Sequence, residues 1–255
     1  MDLDGGGALL FAVLGLVFGS LASALSHRLP KGEPVVADRS RCPHCQTALT
    51  ARDLVPVLSW LLAGGHCRHC GQAVSWRYPV LELAMAGLFV LCWWRADGDT
   101  ALAALLAFTG FGLVVIVVAD LEAGIIPDVM LLTLLPVALA WRWKSGGEWG
   151  DGAAGASLGL GLTWAVRAGF RALRRNEGLG FGDVKFCGLA GLYLGLAAFG
   201  WFLAAAGVVG LAFGLVWRMT GRGAVFPLGP ALCAALLAGL LWPELFAGDW
   251  TGVKG

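Results

Sequence analysis

The chain has 255 residues, of which 58% are hydrophobic and only 14% charged, with a formal net charge of +1. A soluble domain carries about 45–50% apolar and about 25% charged residues, so composition excludes an ordinary water-soluble core and points to the bilayer as solvent. The near-zero net charge gives no global reason to expect nucleic acid, and basic side chains matter by their location instead.

The first apolar run, Ala8–Leu25, follows Asp2 and Asp4 rather than a basic segment, so it reads as a retained span and not as a cleaved signal peptide. Further uncharged runs follow at Tyr78–Trp94, Ala101–Ala119, Val129–Trp143, Gly152–Val166 and Gly223–Pro243. The stretch Phe186–Trp217 is too long for one straight crossing at 1.5 Å per residue, and Lys185 and Arg218 flank its two ends. Basic flanks belong on the cytoplasmic side, which predicts a hairpin turning near Gly195–Gly200. The fold class expected is an all-α polytopic membrane protein of about eight transmembrane helices, with both termini outside. In that arrangement segments 26–78, 120–128, 167–185 and 218–222 face the cytoplasm and hold 14 of the 18 Lys and Arg residues.

The expected division is a first transmembrane helix over 1–25, a small cytoplasmic knuckle domain over 26–78 and a membrane-embedded helical domain over 79–255. A loop of 26–78 is too short to rely on a hydrophobic core alone, and its cysteines offer a staple. Cys42-Pro-His-Cys45 and Cys67-Arg-His-Cys70 form two C-x-x-C knuckles. Four thiolates at this spacing suit a tetrahedral structural zinc ion with no open position. Two disulfides are disfavoured in a reducing compartment, and an iron–sulfur cluster is a weaker fit. His44, His66 and His69 are expected to be solvated, because four cysteines already complete the shell. Cys92, Cys187 and Cys233 stand in apolar runs and read as small buried hydrophobes.

Two aspartates carry the chemistry. Asp120 closes the third apolar run, and Asp183 stands in Gly180-Phe181-Gly182-Asp183 at the start of a later one. A carboxylate within a span costs about 2.5–3.5 kcal/mol on insertion scales and usually has a task. Two carboxylates brought together cannot both ionise easily, so they can share a proton. One then accepts a proton from an attacking water while the other polarises a peptide carbonyl. The alternative for Asp183 is a helix-capping residue. Asp128 reads as a helix start after Pro127, Glu122 as a solvated loop residue and Lys185 as a headgroup or topology residue, with tuning of the aspartate pair as its alternative. Glu82 reads as a cap or as a polar contact inside the bundle, and Arg171, Arg174 and Arg175 as topogenic. A transporter relaying protons through carboxylates would place ionisable groups near mid-bilayer, whereas these cluster at one face; a metal-sensing scaffold leaves the aspartate pair unexplained.

The ordered set of motifs resembles the type IV prepilin leader peptidase family of intramembrane aspartyl proteases. The resemblance runs through Gly19-Ser20, His27-Arg28-Leu29-Pro30, both knuckles, Asp53–Trp60, Arg77-Tyr78-Pro79 with Glu82, Asp120 with Ile126-Pro127-Asp128, and Gly180–Lys185. It implies an inner-membrane enzyme that cleaves type IV prepilin or type II secretion pseudopilin precursors after a glycine at the cytoplasmic face. It further implies N-methylation of the new N-terminal residue from S-adenosylmethionine. Asp120 and Asp183 would then be the protease pair, and Cys42, Cys45, Cys67 and Cys70 would hold the loop. The family's usual Gly-Ser-Phe-Leu-Asn stands here as Gly19–Ser23, and a common Gly-Lys or Gly-Arg as Gly65-His66.

Overall fold

The computed structural model describes residues 5–35, 39–174, 178–221 and 226–246. Arg175, Arg222 and Lys254, used in the charge argument, lie outside the described residues, as do Asp2, Asp4 and the first three residues of the expected span Gly223–Pro243. The described residues are helical, with no strand beyond two isolated bridges, Arg41↔Ala48 and His66↔Ala73. The helices are α1 (Gly5–Arg28), α2 (Leu58–Leu62), α3 (Arg77–Arg95), α4 (Thr100–Ala123), α5 (Asp128–Lys144), α6 (Trp149–Arg174), α7 (Phe181–Met219) and α8 (Gly229–Leu241). Gly5–Lys31, Thr100–Ala123 and Phe181–Met219 are long and apolar enough to cross a membrane.

The chain divides into two compact units, 1–111 and 112–255, with the boundary inside α4. In the first unit α1 and α3 form an antiparallel pair. A Cβ on Gly15 would lie 2.6 Å from the Ala86 Cα, and one on Gly19 would lie 2.5 Å from the Glu82 Cα. Two glycines four residues apart thus let the backbones touch, as membrane helix pairs do where no hydrophobic driving force remains between apolar surfaces. Phe18 adds an aromatic cluster with Phe89 and Phe111, at centroid distances of 5.5 and 5.0 Å.

The second unit repeats the device. Gly155 and Gly159 of α6 meet the α7 backbone at Gly191 and Cys187. Within α7, Gly195 is non-helical (φ 79°, ψ 178°), which divides the helix into two arms. The first arm meets α8 at Leu194–Gly239, while the second meets it at Gly210–Ala231 and meets Phe226, just before α8, at Gly214. Asp183, which opens the first arm, lies beside Cys233 near the start of α8. The two arms therefore pass α8 in opposite directions, with the reversal at Gly195.

That reversal has a visible cause. Breaking the helix orphans backbone groups, and the Leu196 N–H donates to Asp151 Oδ1 at 2.9 Å. Buried Arg142 (3% exposed) holds the other oxygen, Oδ2, at 3.1 Å and also donates to the Glu148 carbonyl. A side chain at Gly195 would collide with Asp151, and its positive φ suits glycine alone. Arg142 thus serves as a buried clamp.

Candidate active site and cysteine cluster

Asp120 lies in the last turn of α4, 7% exposed. Its Oδ2 accepts the Gly229 N–H at 2.7 Å across 109 residues of sequence. Gly229 opens α8 after Phe226-Pro227-Leu228, with Pro230 next. Proline at the first turn sacrifices no helical hydrogen bond, so the helix can begin there with its N–H groups aimed at the carboxylate. A Cβ on Gly229 would sit 2.6 Å from Asp120 Oδ2, so only glycine permits this approach.

Asp183 is the third residue of α7, and its Oδ2 accepts the Gly180 N–H at 3.0 Å. The capping reading is therefore correct in geometry, and it coexists with proximity to Asp120. The two carboxylates act on each other electrostatically, and Cys233 of α8 lies beside both. Each aspartate is thus tied by one oxygen to a backbone N–H at a helix start. Among the described residues the other oxygen of each makes no such bond.

The turn between α4 and α5 closes against the same helix. A Cβ on Gly182 would meet the Ile126 side chain at 2.9 Å. Lys185 Nζ donates to both Asp128 oxygens at 2.8 and 2.7 Å and lies 4.8 Å from the Phe181 ring centroid. Sequence assigned Lys185 to headgroups and Asp128 to a helix start. Asp128 does open α5 after Pro127, and its pair with Lys185 in addition bridges α5 to α7, which only the three-dimensional juxtaposition of residues 57 apart discloses. A groove of about 390 Å³ beside this pair is lined by Leu131, Leu160, Leu189 and others, and neither Asp120 nor Asp183 lines it. At about 100° per residue, Lys185 points roughly opposite to Asp183 on α7, and Leu189 about 120° away from it.

In the first unit the two knuckles have matching backbones. Cys42 N–H donates to Thr47 O and Cys67 N–H to Gln72 O; Gln46 N–H returns to Cys42 O and Gly71 N–H to Cys67 O. Gln46 and Gly71 both take positive φ, 56° and 72°. The four Sγ atoms lie within 4.8 Å of one another, with Cys42 and Cys70 at 3.9 Å. A tetrahedron with metal–sulfur bonds of about 2.3 Å has sulfur–sulfur edges of about 3.8 Å, so the cluster could hold a metal ion. The thiols alone are in conflict. Hydrogen bonds from Thr47 draw Cys45 down to about 6. Although the Gln72 backbone bond draws Cys70 down, desolvation and the neighbouring thiols outweigh it and push Cys70 up to about 11. A divalent cation resolves that conflict by favouring all four thiolates. His66 turns its Nδ1 to Gly64 O at 2.6 Å, outside the cluster.

Cys92, Cys187 and Cys233 are buried as expected, and the Asp120 and Asp183 charges act on Cys233. Ser23 accepts a hydrogen bond from Arg77 at 2.6 Å, and Ser26 another at 2.9 Å. Glu82 is 7% exposed and makes an internal polar contact, accepting the Val57 N–H at 2.7 Å.

Two family domains match in chain order: the Bacterial Peptidase A24 N-terminal domain over residues 13–96 and the Type IV leader peptidase family over residues 107–215. The chain belongs to the type IV leader peptidase family. A prepilin leader peptidase/N-methyltransferase of Burkholderia pseudomallei is 35% identical over 96% of this chain and 88% of its own length. Proteins of the same name from Aeromonas hydrophila (32% identical, 92% and 90% covered) and Bacillus subtilis (31%, 91% and 93%) are similarly related. No solved structure matches. Membership makes the chain a peptidase, and the family's two domains cover the cysteine cluster and the aspartate pair respectively.

Proposed function

We propose that the chain is an intramembrane aspartyl endopeptidase that cleaves the leader of type IV prepilin or type II pseudopilin precursors and then N-methylates the new N-terminus. The observation that carries the protease half is the pair Asp120 and Asp183: 63 residues apart, they are brought into electrostatic contact with a backbone N–H holding one oxygen of each. In this reading the pair shares one proton. The ionised carboxylate takes a proton from a water that attacks the scissile carbonyl, and the protonated one donates to the carbonyl oxygen. The tetrahedral intermediate collapses when the leaving amine regains a proton.

The eight-span arrangement with both termini outside belongs to the same proposal and puts both aspartates at the cytoplasmic face of the inner membrane, where a leader would be presented. The cysteine cluster would hold zinc as a structural ion, since four thiolates leave no site for water. S-adenosylmethionine, which the relatives' name N-methyltransferase implies, would supply the methyl group.

The test is product analysis. The purified protein is reconstituted with a prepilin, with and without S-adenosylmethionine, and the product N-terminus is weighed. The proposal predicts a free amine at the residue after the leader glycine without the donor and one added methyl group with it. Intact precursor would contradict the protease, and a product that stays unmethylated with the donor would contradict the second activity.

A further inference from the structure

The segment between the knuckles is strongly apolar on its outside. Leu58, Leu61 and Leu62 of α2 are 57%, 58% and 80% exposed, and Leu54 and Val55 just before it are 43% and 42% exposed. At positions i, i+3 and i+4 the three leucines share one face of the short helix. Nothing in a water-filled loop accounts for such a face.

Its depth is fixed by a contact far from it in sequence. Val57, which opens α2, has φ 61° and ψ −51°, a costly conformation for a β-branched residue. Its N–H is held at 2.7 Å by Glu82 Oε2, and the Ser20 hydroxyl also bonds that carboxylate. Glu82 lies in α3 level with Gly19 of α1. Gly19 is nine residues before Arg28, about 13 Å along α1, and four residues before Ser23, which bonds the nearest strong charge, Arg77, so this level lies about 6 Å inside that charge. At the same level Val80 and Leu83 of α3 and Leu21 of α1 are exposed apolar residues, 47%, 55% and 43%. Val57 is therefore tied to the apolar part of the α1–α3 pair, not to its polar end.

The backbone of the segment suits that location. A chain in hydrocarbon must satisfy its own polar groups. The N–H groups of Leu54, Ser59, Leu61, Ala63, Gly64 and Gly65 all donate to carbonyls within residues 51–61, and the Trp60 indole donates to Val74 O at 3.0 Å. The N–H of Val57, which a helix start would otherwise orphan, is the one that Glu82 takes.

We propose that residues 54–62 form a lipid-facing wedge that enters the cytoplasmic leaflet beside α1 and α3, with Glu82 holding it at depth. Its occupant is the bilayer itself: acyl chains meet the leucine face, and exposed Trp76 and Arg52 meet the headgroup layer. The wedge would hold the cysteine cluster against the membrane surface.

The test is photocrosslinking of the full chain in phosphatidylcholine/phosphatidylglycerol vesicles, with p-benzoylphenylalanine placed singly at Leu62, at Val13 of α1 and at exposed Gln72. These side chains are exposed, so the probe perturbs little. A phospholipid adduct is expected at positions 13 and 62, and at least tenfold less at 72. An adduct at 13 with none at 62 would overturn the wedge while leaving α1 as a span; none at either would overturn both. Transfer of the 62 adduct from lipid to an added prepilin would instead identify the face as a substrate surface. Glu82→Gln, which retains an acceptor oxygen, should preserve the adduct, whereas Glu82→Leu should lower it several-fold. An unchanged adduct in Glu82→Leu would contradict the role given to Glu82.

Discussion

Asp120 is held by a glycine, and that contact decides how the carboxylate is aimed. In Gly229→Ala the new Cβ would lie 2.6 Å from Asp120 Oδ2, so either the carboxylate or the start of α8 must move. Displacement of a reacting group by about 1 Å can cost on the order of 100-fold in rate. Prepilin cleavage by Gly229→Ala should therefore fall by about that factor, with the helical circular dichroism retained; cleavage within twofold of wild type would refute this role. Lys185 and Asp128 set the opposite expectation. Their pair is 36% and 60% exposed, and exposed ion pairs contribute roughly 0–1 kcal/mol. Lys185→Met should leave the thermal midpoint in detergent nearly unchanged, and a large loss would show the pair to be structural. Asp120 and Asp183 were legible in sequence because a carboxylate at the edge of an apolar run stands out by chemistry alone. Gly229 was not, since a glycine beside prolines reads as any helix start until its partner 109 residues away is seen.

At the scale of elements, the reversal in α7 rests on one backbone conformation. Gly195→Ala would add roughly 1–2 kcal/mol of left-handed strain and a collision with the Asp151 carboxylate that caps Leu196. It should lower unfolding stability by at least about 2 kcal/mol, whereas Gly200→Ala, which meets nothing within 4 Å, should be neutral or slightly stabilising. Equal effects would contradict the clamp. Length and flanking charge were enough to place a turn near Gly195–Gly200, but the Asp151–Arg142 clamp that fixes it joins residues 45 positions apart and leaves no local pattern. The knuckles were fully legible, because C-x-x-C spacing states the geometry directly. Cys42→Ser should lose bound metal and raise hydrogen exchange over residues 40–75, with exchange in α6 and α7 unchanged; metal retained at the wild-type level would contradict the four-thiolate site.

For the whole molecule, periodicity cannot see membrane helices that are apolar on every side, so their existence was readable from hydropathy while their packing faces were not. Those faces are written in Gly15 and Gly19 of α1 and in Gly155 and Gly159 of α6, glycine pairs whose spacing was present in sequence. The tie between the loop and α3 was not legible, since the bond from Val57 to Glu82 spans 25 residues and depends on a strained backbone. Two carboxylates on separate helices, each with one oxygen fixed by a backbone amide, remain the centre of the account. The most direct measurement is the single-turnover rate of leader cleavage by Asp120→Asn and Asp183→Asn in vesicles, alongside wild type. An amide keeps the size of each side chain but can neither share the proton nor accept it from water. Loss of at least about a thousandfold in both variants is predicted, within the range a removed general acid or base costs; cleavage at the wild-type rate by either one would contradict the paired-aspartate mechanism.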